Sequence, residues 1–305
     1  MTSVTRALTT AGSRRRRTLR SSGSKTGVAG WIGRAMVWLV VAFNIFLIAW
    51  MVVSSLRSTV DYLRQPLGLP VPPHLENYAN AWTIGDFGVA FLNSASVTLI
   101  SAFFAVAIAA PAAYALSRST RWIAPKITAA FALGLGVPGQ VLLIPIYIGL
   151  AQVQQNTGIP LIDSQLGLTI VLIGLNLPFT VFLLTGFFAS LPGEIEEAAA
   201  LDGASGIRTF VTIMLPLARP GLTTAMTLAA IGSWNETLFS LVLLTDKSTR
   251  TLPIALIQIM NSAAFNGADW GSIFAGMTLM VLPLLIVYTW LGRRIVAGMT
   301  VGAGK

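Results

Sequence analysis

Apolar residues in this chain gather into six long runs, at about 36–56, 91–116, 127–150, 166–189, 220–244 and 271–292. Polar stretches, or stretches broken by Pro and Gly, separate them. Each run reaches the roughly 20 mostly apolar residues that a helix needs to cross the hydrocarbon core of a bilayer. The pattern predicts an all-α, polytopic membrane protein with six transmembrane helices, and an even count puts both termini on one side. Arg and Lys choose the side. With the N-terminus cytoplasmic, inner segments hold 16 of the 20 basic residues, and the outer loops hold only Arg57, Arg64, Lys247 and Arg250. Short loops with that bias obey the positive-inside rule, so both ends are expected in the cytoplasm.

Composition agrees. Of 305 residues, 54% are hydrophobic and 10% charged, against roughly 25% charged in soluble domains. The net charge of +9 could suggest a nucleic-acid partner, but eight of the basic residues precede residue 35, ahead of the first apolar run. Residues 1–30 read as a disordered basic cytoplasmic tail, with Arg14 to Arg17 a topology anchor on anionic lipid. Residues 31–305 read as the transmembrane domain. The apolar run behind the tail exceeds the 7–15-residue core of a cleavable signal, which predicts an uncleaved first helix. Cysteine is absent and His74 is the one histidine, so disulfides, thiolate chemistry and His-based metal sites are excluded. No cofactor is expected on this chain.

Two short matches carry no nucleotide chemistry. Gly134-Leu135-Gly136-Val137-Pro138-Gly139 satisfies GxGxxG but lies in an apolar run, without the preceding strand or the later acidic residue. It reads as close helix packing plus a proline kink. Gly302-Ala303-Gly304-Lys305 lacks the Ser/Thr and helix of a phosphate loop. Prolines recur within the runs, at Pro111, Pro138, Pro145, Pro178 and Pro283. They suit kinked helices around a cavity, or ordinary membrane helices equally well. The outer segment 57–90 reads as an extended Pro-rich stretch leading into a short helix. Ile254 to Met260 reads as a helix lying at the outer surface.

The most informative segment lies between the fourth and fifth runs, at about 190–219. Glu194, Glu196 and Glu197 open a helix, where the macrodipole favours negative charge. Alanines follow, Gly203 permits a sharp turn, and a second short helix runs until Pro216 stops it. The spacing Glu197-Ala198-Ala199, three residues, Gly203, nine residues, Ile213, one residue, Leu215-Pro216 resembles the EAA loop of permeases in binding-protein-dependent ABC importers. Asp202-Gly203-Ala204, Glu76-Asn77-Tyr78, Asn93-Ser94, Trp234-Asn235-Glu236 and Arg250-Thr251-Leu252-Pro253 resemble the carbohydrate-importing branch. The tail Gly298-Met299-Thr300-Val301-Gly302-Ala303-Gly304-Lys305 resembles that of the second permease of maltose-type importers, departing at Gly304 and lacking a final Gly.

That resemblance implies a permease of the bacterial plasma membrane that translocates a sugar by alternating access. It further implies a homologous second permease, two ATP-binding subunits carrying the ATP and Mg, and an extracytoplasmic solute-binding protein. The chain itself would not be an enzyme. Glu197, Ala198, Ala199, Asp202, Gly203, Ile213, Leu215 and Pro216 would couple to the ATPase. Two alternatives stand beside it: an importer permease for another solute such as an amino acid, peptide or osmolyte, and an ion-coupled secondary transporter. The second needs several ionisable groups inside the membrane, where only Glu236 lies. Trp234, Asn235 and Glu236 either line the substrate pathway or clamp helices together. The topology has a direct check. In the cysteine-free background, Ser248→Cys should react with an impermeant thiol reagent outside intact cells and Ser205→Cys should not; the inverted pattern would overturn the orientation.

Overall fold

A computed structural model of the chain describes residues 28–267 and 269–302, and every regular element among them is helical. The basic tail before Val28, with Arg14 to Arg17, and the final Ala303, Gly304 and Lys305 lie outside the described residues. The first helix, α1 (Val28–Ser55), divides between two compact units, one ending at Ala49 and one beginning at Trp50. From Gly30 to Ala49 every side chain of α1 is exposed, although the segment is among the most apolar in the chain. A helix apolar all round yet uncovered by protein is matched to lipid.

The second unit is built on α4 (Phe87–Arg118) and α7 (Gln165–Ser190), which share the most extensive packing in the chain. One face of α4 is lined by Ala102, Ala105, Ala109, Ala110 and Ala113, all 3% exposed or less. With no hydrophobic drive between helices in lipid, small side chains that let backbones approach supply the association. Gly167 shows the same economy: a Cβ there would fall 1.8 Å from the Leu161 carbonyl oxygen, so only glycine lets the preceding loop close over α7.

Four helices are long and apolar enough to cross a membrane: α1, α4, α7 and α14 (Trp270–Gly302). The third apolar run is a bent pair, α5 (Ala124–Gly134) and α6 (Gly139–Thr157), meeting at 98°. Counted as one span, the pair brings the total to five. Leu135, Gly136 and Val137 donate to carbonyls three residues back, tightening the chain until Pro138, extended at ψ 127°, starts α6. The GxGxxG match is therefore a helix break. Gly134 sits against Pro178 of α7, where a Cβ would come within 3.3 Å. The fifth run divides too, into α11 (Arg219–Trp234) and α12 (Leu238–Leu243).

Two asparagines clamp backbone to backbone where loops meet the helices. Asn77, in α3 (Glu76–Ile84), donates to the carbonyls of Ser55 and Arg57, both at 2.9 Å. Its neighbour Tyr78 meets the Ser55 hydroxyl at 2.7 Å. Asn93 of α4 donates to the carbonyls of Ser248 and Arg250, both at 2.8 Å, and Ser94 Oγ accepts from the Leu252 N–H at 2.8 Å. The motifs Asn93-Ser94 and Arg250-Thr251-Leu252-Pro253 are two halves of one joint. Arg57, 2% exposed, donates to the carbonyls of Pro66, Asp61 and Gln65. It knots the turn after α2 (Thr59–Arg64).

The helix at 254–260 forms as part of α13 (Leu252–Asn266) but does not simply rest at the surface. Leu252, Ile254, Ala255 and Ile259 are buried: Leu252, Ala255 and Ile259 share a core with Phe87 and Ala90 of α4 and Ile273 of α14, and Ile254 shares one with Val97 of α4 and Leu168 of α7. Asp163 staples the neighbouring loops: it accepts from the Thr245 N–H, the Asp246 N–H and the Thr245 hydroxyl, each at 2.8 Å. Those donors, the Asp246 N–H foremost, hold its carboxyl below the usual range. The staple is thus complete above the ordinary carboxylate pKa and weakens as pH falls through the lowered value. Asn93→Ala should lower stability by about 1–3 kcal/mol, since it removes two hydrogen bonds from a part-buried joint. Asn93→Asp should not rescue it, having no N–H to donate. Thermal unfolding in detergent checks both.

Candidate coupling loop and central cavity

After α7 the chain turns at Leu191 and enters α8 (Glu194–Leu201), whose residues divide between two faces. Ile195 packs inward onto a core of Ala109, Ala113, Phe187, Phe188 and Met214, and Ala199, one turn on, is buried on the same side. Glu194, Glu197, Ala198 and Leu201 face outward, with Leu201 90% exposed. Asp202 ends the helix and Gly203 follows at φ 78°. Gly203 N–H donates to the Ala200 carbonyl at 3.0 Å and Ala204 N–H to that of Ala199 at 2.9 Å. This is a Schellman cap, the closure in which a left-handed residue satisfies the last free carbonyls. No atom lies within 4 Å of a Cβ built at Gly203, so its backbone angle, rather than crowding, demands glycine.

Ser205 then caps α9 (Gly206–Thr209) with its hydroxyl and presents Ile207, 80% exposed. Sequence places the end of this second helix at Pro216. The backbone instead stays helical through it, by way of a π turn (Phe210–Met214) and α10 (Leu215–Leu217). Leu215 N–H reaches back five residues to the Phe210 carbonyl, and this wider turn accommodates the proline that a regular helix resists. The break falls at Ala218, ahead of Pro220 in the first turn of α11. Ile213 and Leu215 pack against the same core as Ile195 and so fasten the loop from its far end.

A cavity of about 510 Å³ opens where two helix breaks meet. Gly134, Gly139 and Gln140 of the α5–α6 bend line one side, Gly174 and Pro178 of α7 another, and Glu236 and Phe239 at the α11–α12 break a third. Glu236 Oε1 accepts from the Phe239 N–H at 2.9 Å, supplying the first turn of α12 with an acceptor. On α7, Asn176 donates to Ser233 Oγ at 3.1 Å, and Ser233 also bonds Ser101 of α4 at 3.0 Å. Polar groups at membrane depth are held by one another here, as backbone and side chains in a dry layer must be.

A model of the family described as binding-protein-dependent transport system inner membrane component matches residues 105–301. This chain belongs to that family. Among its relatives, a diacetylchitobiose uptake system permease, NgcG, of Streptomyces coelicolor is 34% identical over 88% of this chain and 85% of the relative. A trehalose transport system permease, SugB, of Mycobacterium tuberculosis is 32% identical over 89% of this chain and 98% of its own. The crystal structure of a bacterial ABC transporter that imports the acidic polysaccharide alginate contains a chain of the same fold. It matches with a TM-score of 0.73 at 20% identity, over 88% of this chain and 97% of that one.

The motif Trp234-Asn235-Glu236 of this binding-protein-dependent transport component is dispersed by its own helix break. Trp234 is 7% exposed, donates its indole N–H to the Met280 carbonyl at 3.2 Å, and meets Phe91 edge-on at 5.8 Å. Asn235 caps α11 and bonds back to Ile231. Only Glu236 of the three reaches the cavity. Gln140, Asn176, Ser101 and Ser233 were not singled out from sequence. Gln140 stands directly after a Gly/Pro-broken segment, and such interruptions of apolar runs do point to sites; the two serines and Asn176 carry no comparable signal. Glu236→Ala should cost about 1 kcal/mol by removing the acceptor at the start of α12. Glu236→Gln, which keeps an acceptor oxygen, should leave thermal stability near the parent.

Proposed function

We propose that this chain is the membrane-spanning permease of an ATP-driven, binding-protein-dependent importer whose solute is a sugar. In this reading it crosses the membrane six times, with α5–α6 as the third span and α11–α12 as the fifth, and keeps both termini in the cytoplasm. Its partners are a homologous second permease, two ATP-binding subunits that carry ATP and Mg, and an extracytoplasmic solute-binding protein. The relatives named for diacetylchitobiose and trehalose uptake support a short oligosaccharide as solute.

The observation that carries the reading is the form of the loop at 190–219. It is a short helix fastened at both ends, closed by a Schellman cap, with acidic side chains and the apolar Leu201 and Ile207 turned outward. Exposed apolar side chains on a rigid projection favour a protein cleft over solvent. We assign docking on the ATPase to Glu197, Ala198, Asp202, Gly203 and Pro216, and anchoring of the loop to Ala199, Ile213 and Leu215. The cavity at the helix breaks is the proposed solute pathway. Glu236 and Gln140 line it, while Trp234 and Asn235 hold the break that shapes it.

The test uses the native complex. The chain should co-purify with a separate ATP-binding subunit, and labelled diacetylchitobiose or trehalose should enter cells in an ATP-dependent way. Gly203→Asp should insert normally yet lower uptake about tenfold or more. A non-glycine residue at this angle costs about 1–2 kcal/mol, near a factor of ten in a docking equilibrium. The added carboxylate also opposes the negative end of the helix dipole. Normal uptake at normal expression of Gly203→Asp would remove the loop from coupling.

A further inference from the structure

Of the three acidic residues that open α8, only Glu196 turns toward the bundle. Its Oε1 accepts from Arg118 Nε at 2.7 Å, with the two side chains 21% and 23% exposed. Arg118 is the last residue of α4, and its second nitrogen donates to the Leu191 carbonyl at 3.0 Å, just past the end of α7. One guanidinium therefore grips three elements. Its fork lets it hold a carboxylate and a carbonyl at once.

The covalent chain ties α8 closely to α7 through Leu191, Pro192 and Gly193, but nothing comparable ties it to α4. Backbone packing between α8 and α4 is slight. The inward contact of Ile195 with the core is apolar and non-directional, so it permits sliding. A charge-assisted hydrogen bond is directional and resists it. Partly exposed ion pairs contribute little to stability, so a purely architectural role explains the three-way placement poorly. Tyr114, one turn before Arg118, sits 4.9 Å from Phe210 and 5.5 Å from Phe188 by ring centroids. That end of α4 is thus packed against both α7 and the loop returning from α9.

We propose that Arg118 and Glu196 are positioning residues for energy coupling: their ion pair is the joint through which displacement of α8 reaches α4. The inference rests on the assignment of the 190–219 loop to ATPase docking. It adds a route. Motion imposed on the outward face of α8 passes through Glu196 and Arg118 into the helix that walls the transmembrane core, while Leu191 carries the same motion into α7. The two members of the central pair then move together.

Hydrogen–deuterium exchange on the complete complex in nanodiscs, with and without a non-hydrolysable ATP analogue plus Mg, tests this without knowledge of the solute. In the parent, nucleotide should alter exchange in both α8 and the cytoplasmic half of α4. In Arg118→Gln and in Glu196→Gln, the response of α8 should persist. The α4 response should fall at least about five-fold, the low end for coupling between linked sites. The double variant Arg118→Glu with Glu196→Arg should restore it, at unchanged melting temperature. An α4 response equal to the parent in both single variants would overturn the joint, as would a parent in which α4 does not respond. If no ATP-binding subunit co-purifies with the parent, the docking assignment fails, and the joint falls with it.

Discussion

Backbone inside a hydrocarbon layer must find its hydrogen-bond partners within the protein, and the close pairing of α4 with α7 makes it possible to break helices around it. Alanines on α4 and Gly167 on α7 bring the two backbones and the adjoining loop together without large side chains. Against that stiff pair, α5–α6 can bend by 98° and α11–α12 can divide at Asn235. Each break is answered locally. Leu135 to Val137 close tight turns, Glu236 supplies an acceptor to α12, and Asn176 with Ser101 and Ser233 forms a polar contact across three helices. The cavity lies where the two breaks face each other across α7.

The two ends of the molecule are organised by different chemistry. At the end carrying residues 158–164 and 244–252, side-chain amides and carboxylates bind backbone: Asn93 and Ser94 hold the segment 248–252, and Asp163 holds 245–246. Such one-to-one hydrogen bonds set a fixed distance. At the α8 end the contacts are mainly apolar, with Ile195, Ile213 and Leu215 on a shared core. Among the described residues, the Arg118–Glu196 pair is the ion pair that fastens this end. A loop seated mostly on apolar surface can shift as a unit, because its contacts are not directional. A loop pinned by amides suits a rim that must keep its shape.

Membership in a family of binding-protein-dependent transport components joins these features to function. In the proposed reading the rigid projection is the docking element, the broken helices enclose the solute path, and the alanine-lined pair connects them. The relatives differ in the solute of their names.

Much of this was legible in the sequence, for identifiable reasons. Length and apolarity of the runs depend on composition over some twenty residues, so the long helices α1, α4, α7 and α14 could be placed from the chain alone. The Schellman cap at Gly203 could be anticipated as a turn because it is local, completed within six residues. Motif spacing likewise marked the 190–219 loop. Tertiary structure decided what depends on partners far along the chain. Trp234 and Glu236 are two residues apart, yet the end of α11 turns one onto α14 and the other into the cavity. Pro216 continues a helix because a π turn precedes it, an arrangement no propensity specifies. Asn93 meets Arg250 across 157 residues, and Arg118 meets Glu196 across 78. Pairings of that range are settled only when the helices pack, because hydrophobic periodicity records which residues leave water and not which neighbour they find.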